Sequence, residues 1–116
     1  MNNLLQILKN NEFMSMKVDM YDTKTQGISS WFMNKYRIRS DDEKIIIYGK
    51  DEDISCHWIK LAVGSMIADF QQDSIFNVII LRFTYNDRYL VEMKIDTLKK
   101  KIEAFGKTSI FKQRLN

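Results

Sequence analysis

Over much of this chain apolar and polar positions alternate with the period of a β-strand. Met14, Met16, Val18 and Met20 alternate with Ser15, Lys17, Asp19 and Tyr21. A helix cannot bury that pattern on one side, so it predicts a half-buried strand. A second strand is predicted from Ser30 to Arg39, with Phe32, Tyr36 and Ile38 on one face and Trp31, Met33, Lys35, Arg37 and Arg39 on the other. Asp41-Asp42-Glu43 reads as a turn, and the continuous run Ile45-Ile46-Ile47-Tyr48 as a third strand buried on both faces. The run from Ser74 to Ile95 carries the clearest signal. Two apolar, β-branched segments flank Tyr85-Asn86-Asp87-Arg88, which predicts a hairpin, with Tyr89, Val91, Met93 and Ile95 alternating against Arg88, Leu90, Glu92 and Lys94.

Elsewhere the spacing is helical. Leu4, Ile7 and Leu8 share one face of a short N-terminal helix capped by Asn2 or Asn3 and stopped at Asn10-Asn11. Ile59, Ala62, Val63, Met66, Ile67 and Phe70 follow an i, i+3, i+4, i+7 series, which predicts an amphipathic middle helix behind the acidic Asp51, Glu52 and Asp53. Gly64 and the β-branched residues of this segment argue for strands instead, since a glycine costs about 1 kcal/mol inside a helix. Leu98, Ile102 and Phe105 form the stripe of a closing helix capped by Asp96 or Thr97 and ended by Gly106.

The elements add up to a single α+β domain spanning residues 1–116. It has one antiparallel sheet of about five strands with N-terminal, middle and C-terminal helices, in the order αβββαββα. That succession is similar to the small chaperones of type III secretion, which work as dimers that hold a secreted partner. The likeness lies in element order along the whole chain, with no motif matched residue by residue, and those chaperones are usually acidic.

A chain of 116 residues with 45% hydrophobic and 28% charged residues has the makeup of one globular domain rather than of a disordered or fibrous chain. Its apolar runs stop at four or five residues, as in Val78 to Leu81, where a membrane helix needs about 20. The N-terminal MNNLLQILKN lacks the features of a secretory signal. The single cysteine, Cys56, has no internal disulfide partner. Together these features predict a cytoplasmic protein, and heavy use of isoleucine, lysine and asparagine suggests a low-GC bacterium or its phage. The net charge of +3 is uneven. From Thr97 onward six cations, Lys99, Lys100, Lys101, Lys107, Lys112 and Arg114, face the single acid Glu103. A basic tail on a mildly acidic body favours an acidic partner, although lysines also serve solubility alone.

Reactive chemistry is sparsely supplied. His57, the only histidine, neighbours Cys56. Adjacent residues point to opposite faces of a strand, or about 100° apart on a helix, so the two cannot act as a nucleophile and base pair. A structural zinc site wants four nitrogen or sulfur donors, and this pair has no further cysteine or histidine to join it. Asp41-Asp42-Glu43 and Asp51-Glu52-Asp53 flank one strand, which puts them roughly 30 Å apart, and each reads as a turn. Gly27, Gly49, Gly64 and Gly106 are too dispersed to form a phosphate-cradling loop. No catalytic, metal or cofactor site is expected.

Two surfaces carry the functional expectation. Trp31, Lys35, Arg37 and Arg39 share parity, so an aromatic ring and three cations would line one strand face at about 7 Å intervals. The basic closing segment adds Lys99, Lys100, Lys101, Phe111, Lys112 and Arg114. Methionines at 14, 16, 20 and 33 fit either an adaptable binding surface or core filling. The expected function is non-enzymatic: a small protein-binding or regulatory module that masks or holds a partner protein, with a homodimer as one form. The alternative is nucleic-acid binding through the same basic and aromatic residues.

Overall fold

The computed structural model of the chain describes residues 3–50, 56–62 and 71–98. One helix, α1 (Asn3–Asn10), precedes seven strands: β1 (Ser15–Asp22), β2 (Ile28–Ser40), β3 (Lys44–Lys50), β4 (Cys56–Ala62), β5 (Gln71–Ile75), β6 (Val78–Tyr85) and β7 (Tyr89–Asp96). They form one sheet in the order β4-β3-β2-β1-β7-β6-β5, antiparallel throughout. The expected α+β fold of five strands and three helices is therefore corrected. The described chain is mostly sheet with a single short helix, and the likeness to secretion chaperones, which rested on the order αβββαββα, falls with it.

The correction has a local physical origin. Ile59 and Ala62 fit a helical series, but Ile59 and Leu61 also alternate with Trp58 and Lys60. β4 satisfies its backbone by pairing along its whole length with β3, setting Ile47 opposite Ile59 and Ile45 opposite Leu61. Hydrogen bonding to a waiting edge outweighs a short helical periodicity. The rest of the expected middle helix, residues 63–70, lies outside the described residues, as does the closing helix from Lys99 onward. β5 was not anticipated because its residues, Gln71-Gln72-Asp73-Ser74-Ile75, are all exposed and carry no apolar alternation.

Elsewhere the elements fall where the pattern puts them, except that β1, expected to be half-buried, is buried on both faces, with Ser15, Lys17 and Asp19 as closed off as Met16 and Val18. α1 buries Leu4 and Leu8 against the sheet, and the Tyr36 hydroxyl donates to the Leu8 carbonyl at 2.6 Å. Burial holds that phenol neutral far above its usual range, with Glu12 nearby adding to the effect. β6 and β7 close the expected hairpin, with Tyr85 opposite Tyr89. Its turn holds Asn86 and Asp87 at φ 54° and 53°, a left-handed conformation that these residue types tolerate best among non-glycines. β3 departs in one respect: Ile45 and Ile47 are buried while Ile46 and Tyr48 are half-buried, so only one of its faces is sealed.

One face of the sheet is the core. Met16, Val18, Met33, Tyr36, Ile45, Ile47, Ile59, Leu61, Leu81, Phe83, Val91, Met93 and Ile95 meet there beneath Leu4 and Leu8. Met14 and Met20 pack against this cluster, so the methionines fill the core rather than form a surface. Gly49 belongs to the same face. A Cβ there would sit 2.8 Å from the Met33 Cβ, so only a glycine lets β3 lie this close to β2.

The sheet is also strongly coiled. Ala62 and Gln71 lie on opposite edges, nine residues apart in sequence, which limits their separation to about 32 Å. Counted along the ladders of a flat sheet, they would be about 44 Å apart, from inter-strand spacing and strand rise together. Twist and coiling must bring the two edges toward each other.

Candidate functional site: an exposed basic and aromatic sheet face

Opposite the core, the β2–β3–β4 part of the sheet presents an outer face. Alternation sends Tyr48 and Ile46 outward from β3 while Ile45, Ile47 and Gly49 go inward, and sends Trp58 and Lys60 outward from β4 while Ile59 and Leu61 go inward. Register then aligns these side chains across strands. Arg37, Tyr48 and Trp58 form one cross-strand row, and Arg39, Ile46 and Lys60 form the next. Trp58 is 59% exposed, which is unusual for so large an apolar ring. At the near end of its row Arg37 lies over the Phe13 ring, with its guanidinium carbon 5.6 Å from the centroid.

Sequence parity placed Trp31 on this face, and the structure removes it. β2 contains a bulge between Asn34 and Arg37, with Lys35 at φ 52°. One extra residue reverses the side-chain parity of everything beyond it. Trp31 and Met33 therefore stand opposite Val18 and Met16 on the core side, where Trp31 packs against the core with its indole Nε1 buried. Arg37 and Arg39 emerge on the other side, both exposed, and Lys35 is exposed at the bulge itself. The remaining expected contact residues, Lys99, Lys100, Lys101, Phe111, Lys112 and Arg114, lie outside the described residues.

Tyr48, Trp58, Lys44 and Lys60 were missed as members of the site. A signal for two of them was present: in Cys56-His57-Trp58-Ile59-Lys60-Leu61 a strict period of two sets Trp58 and Lys60 apart from Ile59 and Leu61. The helical series through Ile59 and Phe70 obscured it. Cys56 and His57 behave as alternation requires, on successive positions of β4, with Cys56 exposed. Together with Ser30, Trp31 and Trp58 they line a shallow pocket of about 300 Å³ beside the site.

The electrostatics of the face are one-sided. Among the described residues the ion pairs join Lys17 to Asp19, Arg82 and Lys94 to Glu92, and Arg88 to Asp22. Lys35, Arg37, Arg39, Lys44, Lys50 and Lys60 take part in none of these. Acids lie close by: Glu12 accepts from the Ile38 amide between Arg37 and Arg39 at 3.0 Å, and the β2–β3 turn holds others, of which Asp41 is otherwise engaged. Its Oδ1 accepts from the Glu43 and Lys44 amides at 2.8 and 2.9 Å. Those two bonds, with Lys44 and Lys60 nearby, hold its carboxyl below the usual carboxylate range. Asp41 is thus the turn-forming residue that the sequence suggested. A cleft of about 380 Å³ lined by Arg39, Ser40, Asp41, Lys44 and Ile46 closes this end of the face.

Among the described residues no group of three or more His, Cys, Asp or Glu is placed to hold a metal ion, and no helix is long and apolar enough to cross a membrane. The chain matches no family model, no curated protein and no solved structure.

Proposed function

We propose that this protein is a contact module without a reaction of its own, and that its outer β2–β3–β4 face holds an anionic partner. The observation that carries the reading is the row Arg37–Tyr48–Trp58, bordered by cations that have no carboxylate of the chain as ion-pair partner among the described residues. Exposed cations around an exposed indole raise the local concentration of anions and give a flat group a surface to stack on. The test is retention on a sulfated-polysaccharide column at low salt. Arg37→Glu with Arg39→Glu should elute markedly earlier than the parent. Lys9→Glu with Lys24→Glu, two exposed positions elsewhere with the same change in net charge, should shift far less. Equal shifts for both double variants would reduce the effect to net charge and defeat the reading.

A second reading, a protein partner held by contact, is favoured by the β5–β6 hairpin tip. Phe76 is 99% exposed at φ 54°, a conformation costly for an aromatic residue, and the Thr97 amide and hydroxyl both donate to the Asn77 carbonyl at 2.8 Å. A ring left fully in water at a hairpin tip suits insertion into an apolar pocket of another chain, including a second copy. If the second copy is that chain, light scattering should give a dimer mass that Phe76→Ser reduces to the monomer. A parent mass already that of the monomer would remove the second copy.

A further inference from the structure

We propose that the anion held by the β2–β3–β4 face is single-stranded nucleic acid. The stretch bound is two to three nucleotides long and lies across the strands, with bases on Tyr48 and Trp58 and phosphates on the flanking cations. The inference rests on the reading of this face as the anion-binding surface and narrows it to one class of ligand.

Three observations select that class. The first is the relation of rings to charges. Tyr48 and Trp58 stand on adjacent strands in one row, hence about 5 Å apart at their backbones, and Arg37 on the Phe13 ring extends the row. The next row, Arg39–Ile46–Lys60, runs parallel with a cation at each end. Planar groups in one line and positive charges in a neighbouring line match the two chemical sides of a nucleotide strand, where bases and phosphates are laterally separated. Base stacking on aromatic rings with cations tracking the backbone is the general mode of sequence-tolerant single-strand binding.

The second is the identity of the cations. Lysine is depleted in protein–protein interfaces, where it is strongly hydrated and flexible, whereas nucleic-acid interfaces are more polar and much more positive. Lys35, Lys44, Lys50 and Lys60 all border this face. An acidic protein surface would be met better by arginines alone.

The third is exposure. A ring 59% open to solvent on a sheet face is accessible to an unpaired base. In a duplex the flat faces of the bases are already stacked on one another, so the same rings have nothing to receive. The row from Arg37 to Trp58 is about 10 Å long, which is the reach of two or three nucleotides at an extended spacing.

The test uses the full chain and fluorescently labelled 12-mers of deoxythymidine and of uridine, a mixed-sequence blunt-ended duplex of two annealed strands, and poly-L-glutamate as a competitor. The oligonucleotides should bind with a log–log salt slope of about −2, the value for three neutralised phosphates on a single strand. Trp58→Ala should weaken binding about ten-fold with the slope unchanged, because stacking carries no counterions. Arg39→Gln, which removes one phosphate contact, should flatten the slope by about 0.7. Trp58→Phe, which keeps a ring, should lose much less than Trp58→Ala, and melting curves matching the parent confirm that the variants fold. Duplex binding as tight as that of the 12-mers, or an unaltered affinity in folded Trp58→Ala, would overturn the assignment. Failure of both oligonucleotides alongside tight poly-L-glutamate binding that Arg37→Glu with Arg39→Glu abolishes would overturn the assignment while leaving the anion-binding reading intact. If no anionic probe binds, both fall.

Discussion

The same side of one sheet treats charge in two opposite ways. Over the central strands β1, β7 and β6, charged groups are buried and matched within the chain. Asp19 and Glu92 are wholly buried and Lys17 is 2% exposed. Lys17 lies 3.7 Å from Asp19, Lys94 lies 3.5 Å from Glu92, and Arg82 donates to Glu92 at 3.1 Å. Ser30 adds a hydroxyl bond to Asp19. Over β2, β3 and β4 most of the cations stand in solvent beside the exposed Trp58 and the half-buried Tyr48, with no carboxylate of the chain in ion-pair reach among the described residues. Burial compels pairing, because an isolated charge in a low-dielectric setting is expensive, whereas a solvated charge needs no partner. Charge in the centre is therefore structural, and charge on the β2–β3–β4 wing has no ion-pair partner among the described residues.

The arrangement in the centre is unusual in register. Asp19 stands directly opposite Glu92, and Lys17 opposite Lys94, so like charges face each other across β1 and β7. Neutralisation runs along each strand instead, at i and i+2, with Arg82 supplying a further cation from β6. Each carboxylate is tied to its own cation before it meets its opposite number, which keeps the cross-strand repulsion tolerable.

The contrast is sharpest where one charge is deleted. Glu92→Leu removes the shared partner of Arg82 and Lys94. It should cost about 3 kcal/mol in urea denaturation, the low end of the range for breaking a buried pair, because both cations keep some contact with water. A cost below about 1 kcal/mol would show the central charges to be as dispensable as those on the wing.

An intermediate case is Asp22, which ties the β1–β2 turn to the β6–β7 turn. Arg88 donates to it twice, Nε to Oδ1 at 2.9 Å and a terminal nitrogen to Oδ2 at 2.8 Å. The Arg88 guanidinium, helped by the Lys24 and Thr25 amides, holds its carboxyl well below the usual carboxylate range. A depressed folded-state pKa contributes stability above about pH 4, the unfolded value, and that contribution disappears as pH falls through the folded one. The effect on an exposed pair is modest. The melting temperature of the parent should fall more steeply than that of Asp22→Asn as pH drops below 4, and parallel curves would show the pair to be inert.

At the far end of the scale, Arg39→Ala on the wing should change stability by no more than about 0.5 kcal/mol, since it removes an exposed charge with no ion-pair partner among the described residues. A larger loss would mean that the wing's cations are structural after all, and the comparison would collapse.

Much of this molecule was readable in advance. Alternation through Met14 to Met20 and through Tyr89 to Ile95, the turns at Asp41 and at Asn86-Asp87, and the N-terminal helix are local features. They follow from side-chain period and turn chemistry, which neighbouring residues settle among themselves. Of the residues singled out from the sequence, Arg37 and Arg39 lie outward, next to Tyr48 and Trp58, while Trp31 lies on the core side.

Three things were decided by tertiary structure alone. The segment from Cys56 to Ala62 satisfies two periodicities, and only the free edge of β3, brought to it by the fold, selects strand over helix. The bulge at Lys35 costs one residue of register and leaves no mark in the apolar pattern, yet it exchanges Trp31 for Tyr48 and Trp58 on the outer face. Pairing of β1 with β7, some seventy residues apart, determines that Lys17, Asp19, Glu92 and Lys94 share one buried patch. Local sequence dictates the period of a strand, but which neighbour it acquires, and so which of its faces meets water, depends on contacts that no short window contains.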